Sequence, residues 1–160
     1  MMSAVPSACS ICGLHADRDR LGSTEIWRDR LWLLRHHDLP SPLAGWCLLD
    51  ARRHIGGPMD FGADEALQWG AIVQRASQLV KEVSGCERVY AIAFGEGARH
   101  LHLHLIPRHP WDARTAAWSV ADLYRRVASE QEPAAGQEEV EAFLTKARRL
   151  AASHFLKPPL

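Results

Sequence analysis

In the run His100-Leu101-His102-Leu103-His104-Leu105-Ile106-Pro107-Arg108, three imidazoles stand at every second position. On an extended strand this spacing puts the imidazoles on one face and Leu101, Leu103 and Leu105 on the other, with neighbouring rings roughly 7 Å apart. The leucine face can be buried while the imidazoles line a wall open to a ligand. A half-buried strand whose polar side happens to be histidine is the plainer reading. However, a third of the chain's nine histidines fall within five residues, and that concentration points to chemistry. A second group, Cys9-Ser10-Ile11-Cys12, offers two thiolates from one turn, as a zinc chelate requires; chance and a redox pair are the other readings of so short a motif.

Around these groups the pattern alternates between strand and helix. Ile26-Trp27 and Leu31-Trp32-Leu33-Leu34 flank Arg28-Asp29-Arg30 as a hairpin, and a strand at 46–49 follows the breaker cluster Leu39-Pro40-Ser41-Pro42. Between 64 and 83 the residues Trp69, Ile72, Val73, Ala76, Leu79, Val80 and Val83 recur at spacings of three and four. They form one stripe of an amphipathic helix, with Asp64 expected as its N-cap and Gly85 as its stop. A strand at 88–94 leads through the turn Gly95-Glu96-Gly97-Ala98 into the histidine strand, and helices are expected near 120–129 and 138–151. The sum is an α+β domain: a five-stranded, mostly antiparallel sheet, one long covering helix and C-terminal helices. Its core is expected at about 9–108, with a helical extension at about 112–160, in a single domain spanning 1–160.

Lysine plus arginine and aspartate plus glutamate both number 19. No net field therefore draws the chain to nucleic acid or an anionic bilayer, and any charged ligand is small and bound locally. The first residues carry no basic n-region, and no stretch of 18 apolar residues follows, so a cytoplasmic location is expected. In that reducing compartment Cys9, Cys12, Cys47 and Cys86 are not a disulfide framework.

Residues His100 to Ile106 satisfy every position of His-φ-His-φ-His-φ-φ, with φ apolar, and the segment resembles the histidine triad family. The resemblance implies attack by the middle histidine, here His102, on the α-phosphorus of a nucleotide conjugate such as a dinucleoside polyphosphate or nucleoside phosphoramidate. A covalent nucleotidyl-histidine forms, which water or phosphate resolves. His104, one pleat further on, is read as a donor to a phosphate oxygen or to the leaving group. In zinc-containing relatives an N-terminal Cys-x-x-Cys, a histidine after a basic pair and the first triad histidine bind one structural zinc. On this chain the ligands are Cys9, Cys12, His54 and His100; without metal, His100 instead orients its neighbours. The resemblance also implies a purine nucleotide as substrate and a homodimer. Asp38 is either a turn aspartate or the acceptor of ribose hydroxyls. Gly97 could bring backbone N–H groups close to phosphate, and Arg108 is either a phosphate contact or a solvated arginine. Trp27, Trp32, Trp46 and Trp69 are read as core, and His15, His36, His37, His109 and His154 as surface or loop residues.

The chain departs from the family just before the triad. Many relatives carry an asparagine and a Gly-Gln-Ser-like segment there, whereas this chain has Phe94-Gly95-Glu96-Gly97-Ala98-Arg99. Three alternatives stay open: a dinucleoside polyphosphate phosphorylase, a nucleotide-binding regulator with weak or no turnover, and a metalloprotein whose ion is held by His100, His102 and His104 together.

Overall fold

Strands β1 (Glu25–Arg28), β2 (Trp32–His36), β3 (Cys47–Ala51), β4 (Arg88–Ile92) and β5 (His102–Arg108) form one antiparallel sheet in the order β1-β2-β3-β5-β4. The computed structural model describes residues 9–155. Register decides what the sheet presents. Pairing of β3 with β5 sets Asp50 opposite His102 and Leu48 opposite His104, and pairing of β2 with β3 sets Arg35 opposite Leu48. Strand alternation then gathers Arg35, Leu48, Asp50, His102 and His104 on one face and sends Leu34, Leu49, Leu103 and Leu105 to the other.

The leucine face carries the main core. Helix α3 (Ala63–Ser84) packs Ile72, Ala76, Leu79 and Val80 onto it, and α5 (Gln137–His154) adds Val140, Phe143, Leu144 and Ala147. The C-terminal helix is therefore built into the core rather than appended to it. Among the described residues, the histidine face is covered only at its two ends. Helices α1 (Ser10–Ala16) and α2 (Arg18–Thr24) close one end through Leu14, Leu21 and Leu33. At the other end α4 (Val120–Ala128) packs Val120, Leu123 and Val127 on Leu43, Trp46 and Ile106. The gap between these covers leaves His102 and His104 open to a cleft.

Several local expectations are corrected. The Cys-x-x-Cys segment is not a loop: Cys9 caps α1, its Sγ accepting the Cys12 N–H at 3.5 Å, and Asp17 caps α2 through the Arg20 N–H at 3.0 Å. Asp64 is not the N-cap of α3. That position is Gly62, whose N–H donates to Glu65 at 2.8 Å, while Asp64 pairs with Arg30 at 2.6 Å. Gly85 ends the helix as expected, at φ 66, a left-handed conformation that favours glycine. Strand β4 stops at Ile92, not at residue 94, and β5 begins at His102, so His100 stands in the bend ahead of the strand. Leu101 keeps that bend extended, donating to Ile55 O at 2.7 Å and accepting from Ala51 N at 3.0 Å.

His36 is not a surface residue. It is fully buried, with Nδ1 donating to His37 O and Nε2 accepting the Gly45 N–H, and burial holds its pKa at about 4. His154 bonds Arg75 O at 2.8 Å, tying α5 to α3.

Candidate functional site

At the α1 end of the open face, Cys9, Cys12, His54 and His100 each offer one ligand atom, and the four atoms all lie within 4.8 Å of one another. Cys12 Sγ is 3.3 Å from His54 Nδ1 and 3.4 Å from His100 Nδ1, and Cys9 Sγ is 3.6 Å from His100 Nδ1. Zinc bonds to sulfur at about 2.3 Å and to nitrogen at about 2.0 Å, and a tetrahedral arrangement then separates neighbouring donors by roughly 3.3–3.8 Å. The donor set and its spacing fit that ion. The His100 ring is also oriented for it. Its Nε2 lies 2.6 Å from Ala51 O, which can only accept, so Nε2 carries the proton and the Nδ1 lone pair faces the thiols. Burial and the neighbouring Cys9 push the Cys12 thiol up to about 11. A bound dication would reverse that penalty by favouring the thiolate. Four protein ligands would leave no position for water, so such an ion would hold structure and supply no nucleophile.

Beyond the cluster the two remaining triad histidines occupy the cleft floor, with ring centroids 5.3 Å apart. His102 Nδ1 lies 2.6 Å from His100 O. The carbonyl accepts, so Nδ1 holds the proton and, in the neutral ring, the Nε2 lone pair is aimed away from the backbone. His104 has the opposite polarity. Trp46 Nε1–H donates to His104 Nδ1 at 2.9 Å, which leaves Nε2 as the N–H of the neutral ring. Burial, followed by the positive charge of His102, His37 and Arg35 nearby, lowers the His104 pKa to about 3. The floor therefore holds one ring with a lone pair to attack and one with a fixed N–H to donate.

Tyr124 of α4 divides the cleft into two lobes that share Gly97, His102, His104 and Tyr124 itself. The lobe beside α1, about 230 Å³, is walled by Ser10, Ile11 and Leu14 and carries Arg20, Arg35 and Asp38. The other, about 300 Å³, lies among Phe94, Glu96, Ala121 and Arg125. Asp38 Oδ2 accepts from Arg20 at 2.5 Å, whereas its buried Oδ1 has no hydrogen-bond partner among the described residues and lies 3.8 Å from Arg35 Nη1. An oxygen so placed is suited to a hydroxyl donor. A larger groove of about 610 Å³, between Leu43, Trp111, Phe143 and Lys146, shares no residue with this cleft.

No family model matches the sequence, and no curated protein matches it significantly. Solved structures do. A histidine triad protein from Bradyrhizobium japonicum is 28% identical, with a TM-score of 0.59, over 81% of this chain and 92% of that one. The family's motif is intact at residues 100–106. In fold and in motif together the chain is similar to histidine triad proteins. Two further family structures share the fold at lower identity. A Hit-like protein from Bartonella henselae matches at TM-score 0.63 and 18% identity, over 91% of this chain and 98% of that one. A zinc-bound histidine triad protein from Mycobacterium smegmatis matches at 0.61 and 15%, over 91% and 97%.

Arg108 lies outside the triad cleft. Its Nη1 donates to His109 O, Asp112 O and Thr115 Oγ1 and so anchors the segment after β5, a role that neither reading of it, phosphate contact or solvated arginine, foresaw. Sequence reasoning missed an ion pair at the cleft floor. Asp50 is completely buried and accepts from Arg35 Nε at 2.7 Å and from His15 at 2.9 Å. Burial alone would raise its pKa, but Arg35 and His15 more than offset this and hold it below the usual carboxylate range. The signal was available: Arg35 and Asp50 have the parity of a cross-strand pair on the histidine face. Trp46 and Tyr124 were missed for another reason, since a core aromatic and a helical tyrosine carry no sequence mark of the histidine they touch.

Proposed function

We propose that this histidine triad protein is a nucleotide phosphohydrolase or nucleotidyl transferase acting on the α-phosphate of a nucleotide conjugate, a dinucleoside polyphosphate or a nucleoside phosphoramidate. The observation that carries the reading is the opposed polarity of the two cleft histidines: a lone pair on His102 Nε2 beside an N–H on His104 Nε2. His102 Nε2 attacks phosphorus. An N–P bond forms as the bond to the leaving group breaks, and the leaving group departs with the electron pair and takes up a proton. His104 donates to an oxygen on which charge develops. Water then adds to phosphorus, the N–P bond breaks and a nucleoside monophosphate is released. The α1-side lobe takes the nucleoside, with Asp38 Oδ1 accepting from ribose, and Gly97 lets backbone approach the phosphate. Cys9, Cys12, His54 and His100 hold a structural zinc, which when bound fastens the N-terminal helices to the sheet. Among proteins of like fold, one is zinc-bound and another, from Sulfolobus tokodaii, is a hypothetical histidine triad nucleotide-binding protein, both of which support the reading. A purine base and a homodimer complete it, as the family resemblance implies.

The test is mass spectrometry of the protein quenched during turnover of adenylylated and guanylylated compounds. A nucleotidyl adduct on His102, lost in His102→Ala, is expected. An adduct on His104 or His109 overturns the assignment. Tight AMP binding without turnover, unchanged in His102→Ala, selects the regulator that the unusual segment at 94–99 would suit. An absolute requirement for inorganic phosphate selects the phosphorylase.

A further inference from the structure

The seven residues of α1 serve two sites at once. Cys12 lies on its first turn and faces the ligand cluster; Ser10, Ile11 and Leu14 on the same helix wall the lobe beside His102. A helix this short does not stand on its own propensity, so its position depends on what anchors it. One anchor is the cluster. The other is His15, one turn beyond Cys12, whose Nε2 is 2.9 Å from Asp50 Oδ2 and whose ring sits edge-on to His100 at 5.4 Å. Asp50 in turn holds Arg35, which is 3% exposed and bonded through Nε at 2.7 Å and Nη2 at 3.4 Å. The chain ends at Arg35 Nη1, 3.8 Å from the unpartnered Oδ1 of Asp38, inside the same lobe that α1 walls.

From these contacts we infer that His15, Asp50 and Arg35 are positioning residues that couple the Cys9–Cys12–His54–His100 cluster to the nucleotide lobe, so that filling the cluster tightens nucleotide binding. The inference rests on the nucleotide reading of the cleft. Loading the cluster fixes Cys9 and Cys12 at the start of α1, and His15 transmits that placement to Asp50 and Arg35 and seats Ile11 and Leu14 against the lobe. Coupling of two binding equilibria is reciprocal: a nucleotide that prefers the seated helix must retain the cation more tightly by the same factor. His102 takes its aim from the main-chain carbonyl of His100 and bonds none of His15, Asp50 and Arg35 through its side chain. The coupling therefore acts on affinity rather than on the covalent step.

Calorimetric titration with AMP, on protein loaded with one equivalent of Zn²⁺ and on chelator-stripped protein, reads the effect. Stripping is expected to weaken AMP binding about tenfold, within the usual span of coupling between sites, and saturating AMP to slow zinc loss to a competing chromogenic chelator. His15→Ala is expected to keep a full equivalent of zinc yet bind AMP as weakly as stripped protein. His15→Gln, whose amide N–H can still donate to Asp50, is expected to restore it. Circular dichroism checks that stripped protein remains folded; where it does not, the two His15 variants decide. Equal AMP affinity in loaded and stripped protein, or in His15→Ala and the parent, overturns the coupling while leaving the nucleotide site in place. Absence of AMP binding to the loaded parent removes both.

Discussion

The residues around the triad are set by which atoms they bond, and those bonds carry a pH signature. His36 and His104 are kept neutral by burial, at about 4 and about 3, while an unfolded histidine titrates near 6.5. Below pH 6.5 the unfolded chain gains protons that the fold refuses, so stability falls as pH falls. Asp50 acts in the same direction, because its folded pKa is depressed and its contribution is lost on acidification. Urea unfolding with chelator present throughout is expected to show a loss between pH 7 and pH 5 on the order of 2 kcal/mol for each of the two histidines. A flat profile over that range would contradict the burial argument. The Arg35–Asp50 pair makes a second expectation. Arg35→Met leaves a carboxylate without its main partner at zero exposure, and the same denaturation measurement should register a cost of about 3–5 kcal/mol.

Elements differ in how far the sequence announces them. The α3 stripe ran from Trp69 to Val83 and stopped at a glycine, so the helix and its C-terminal end were legible, while its N-cap was misplaced from Gly62 to Asp64. The Leu101, Leu103, Leu105 alternation gave the correct buried face of β5. Helices α1 and α2 were not legible, because seven residues hold at most two turns of periodicity and their shape comes from caps and from contacts with the sheet. His100 was read as part of the strand, since spacing alone does not reveal that the N–H of its neighbour Leu101 turns to Ile55 O, outside β3. Helix α4 was foreseen as a helix but not as the roof of the cleft. Leu123, fully buried between Trp46 and Ile106, holds it there. Leu123→Ala is expected to cost about 2–4 kcal/mol in thermal or chemical unfolding and to weaken nucleotide binding by releasing Tyr124. Unchanged stability would mean that α4 is not seated by this contact.

At the scale of the whole molecule, two coverings of unequal completeness share one sheet. The leucine face is sealed by α3 and α5, and among the described residues the histidine face is left open between α1 with α2 and α4. Stability and chemistry are thereby segregated by face. Metal loading is expected to bridge them: any ligand that binds only the folded chain raises its midpoint with concentration. Chelation should lower the melting temperature by several degrees, with metal analysis returning one zinc per chain before treatment and none in Cys9→Ser. No zinc in the parent protein would remove the proposed metal centre.

The atom that orients His102, the nucleophile proposed above, belongs to the main chain: it is the His100 carbonyl oxygen, not a side chain. Mutagenesis that exchanges one amino acid for another leaves every carbonyl in place, so a substitution at position 100 can delete the ligand without unaiming its neighbour. Lineages descending from such a protein are then free to discard the ion, or trade its donors, and keep a working nucleophile. Only a change in the path of the polypeptide through the bend at 100–101 would disarm it.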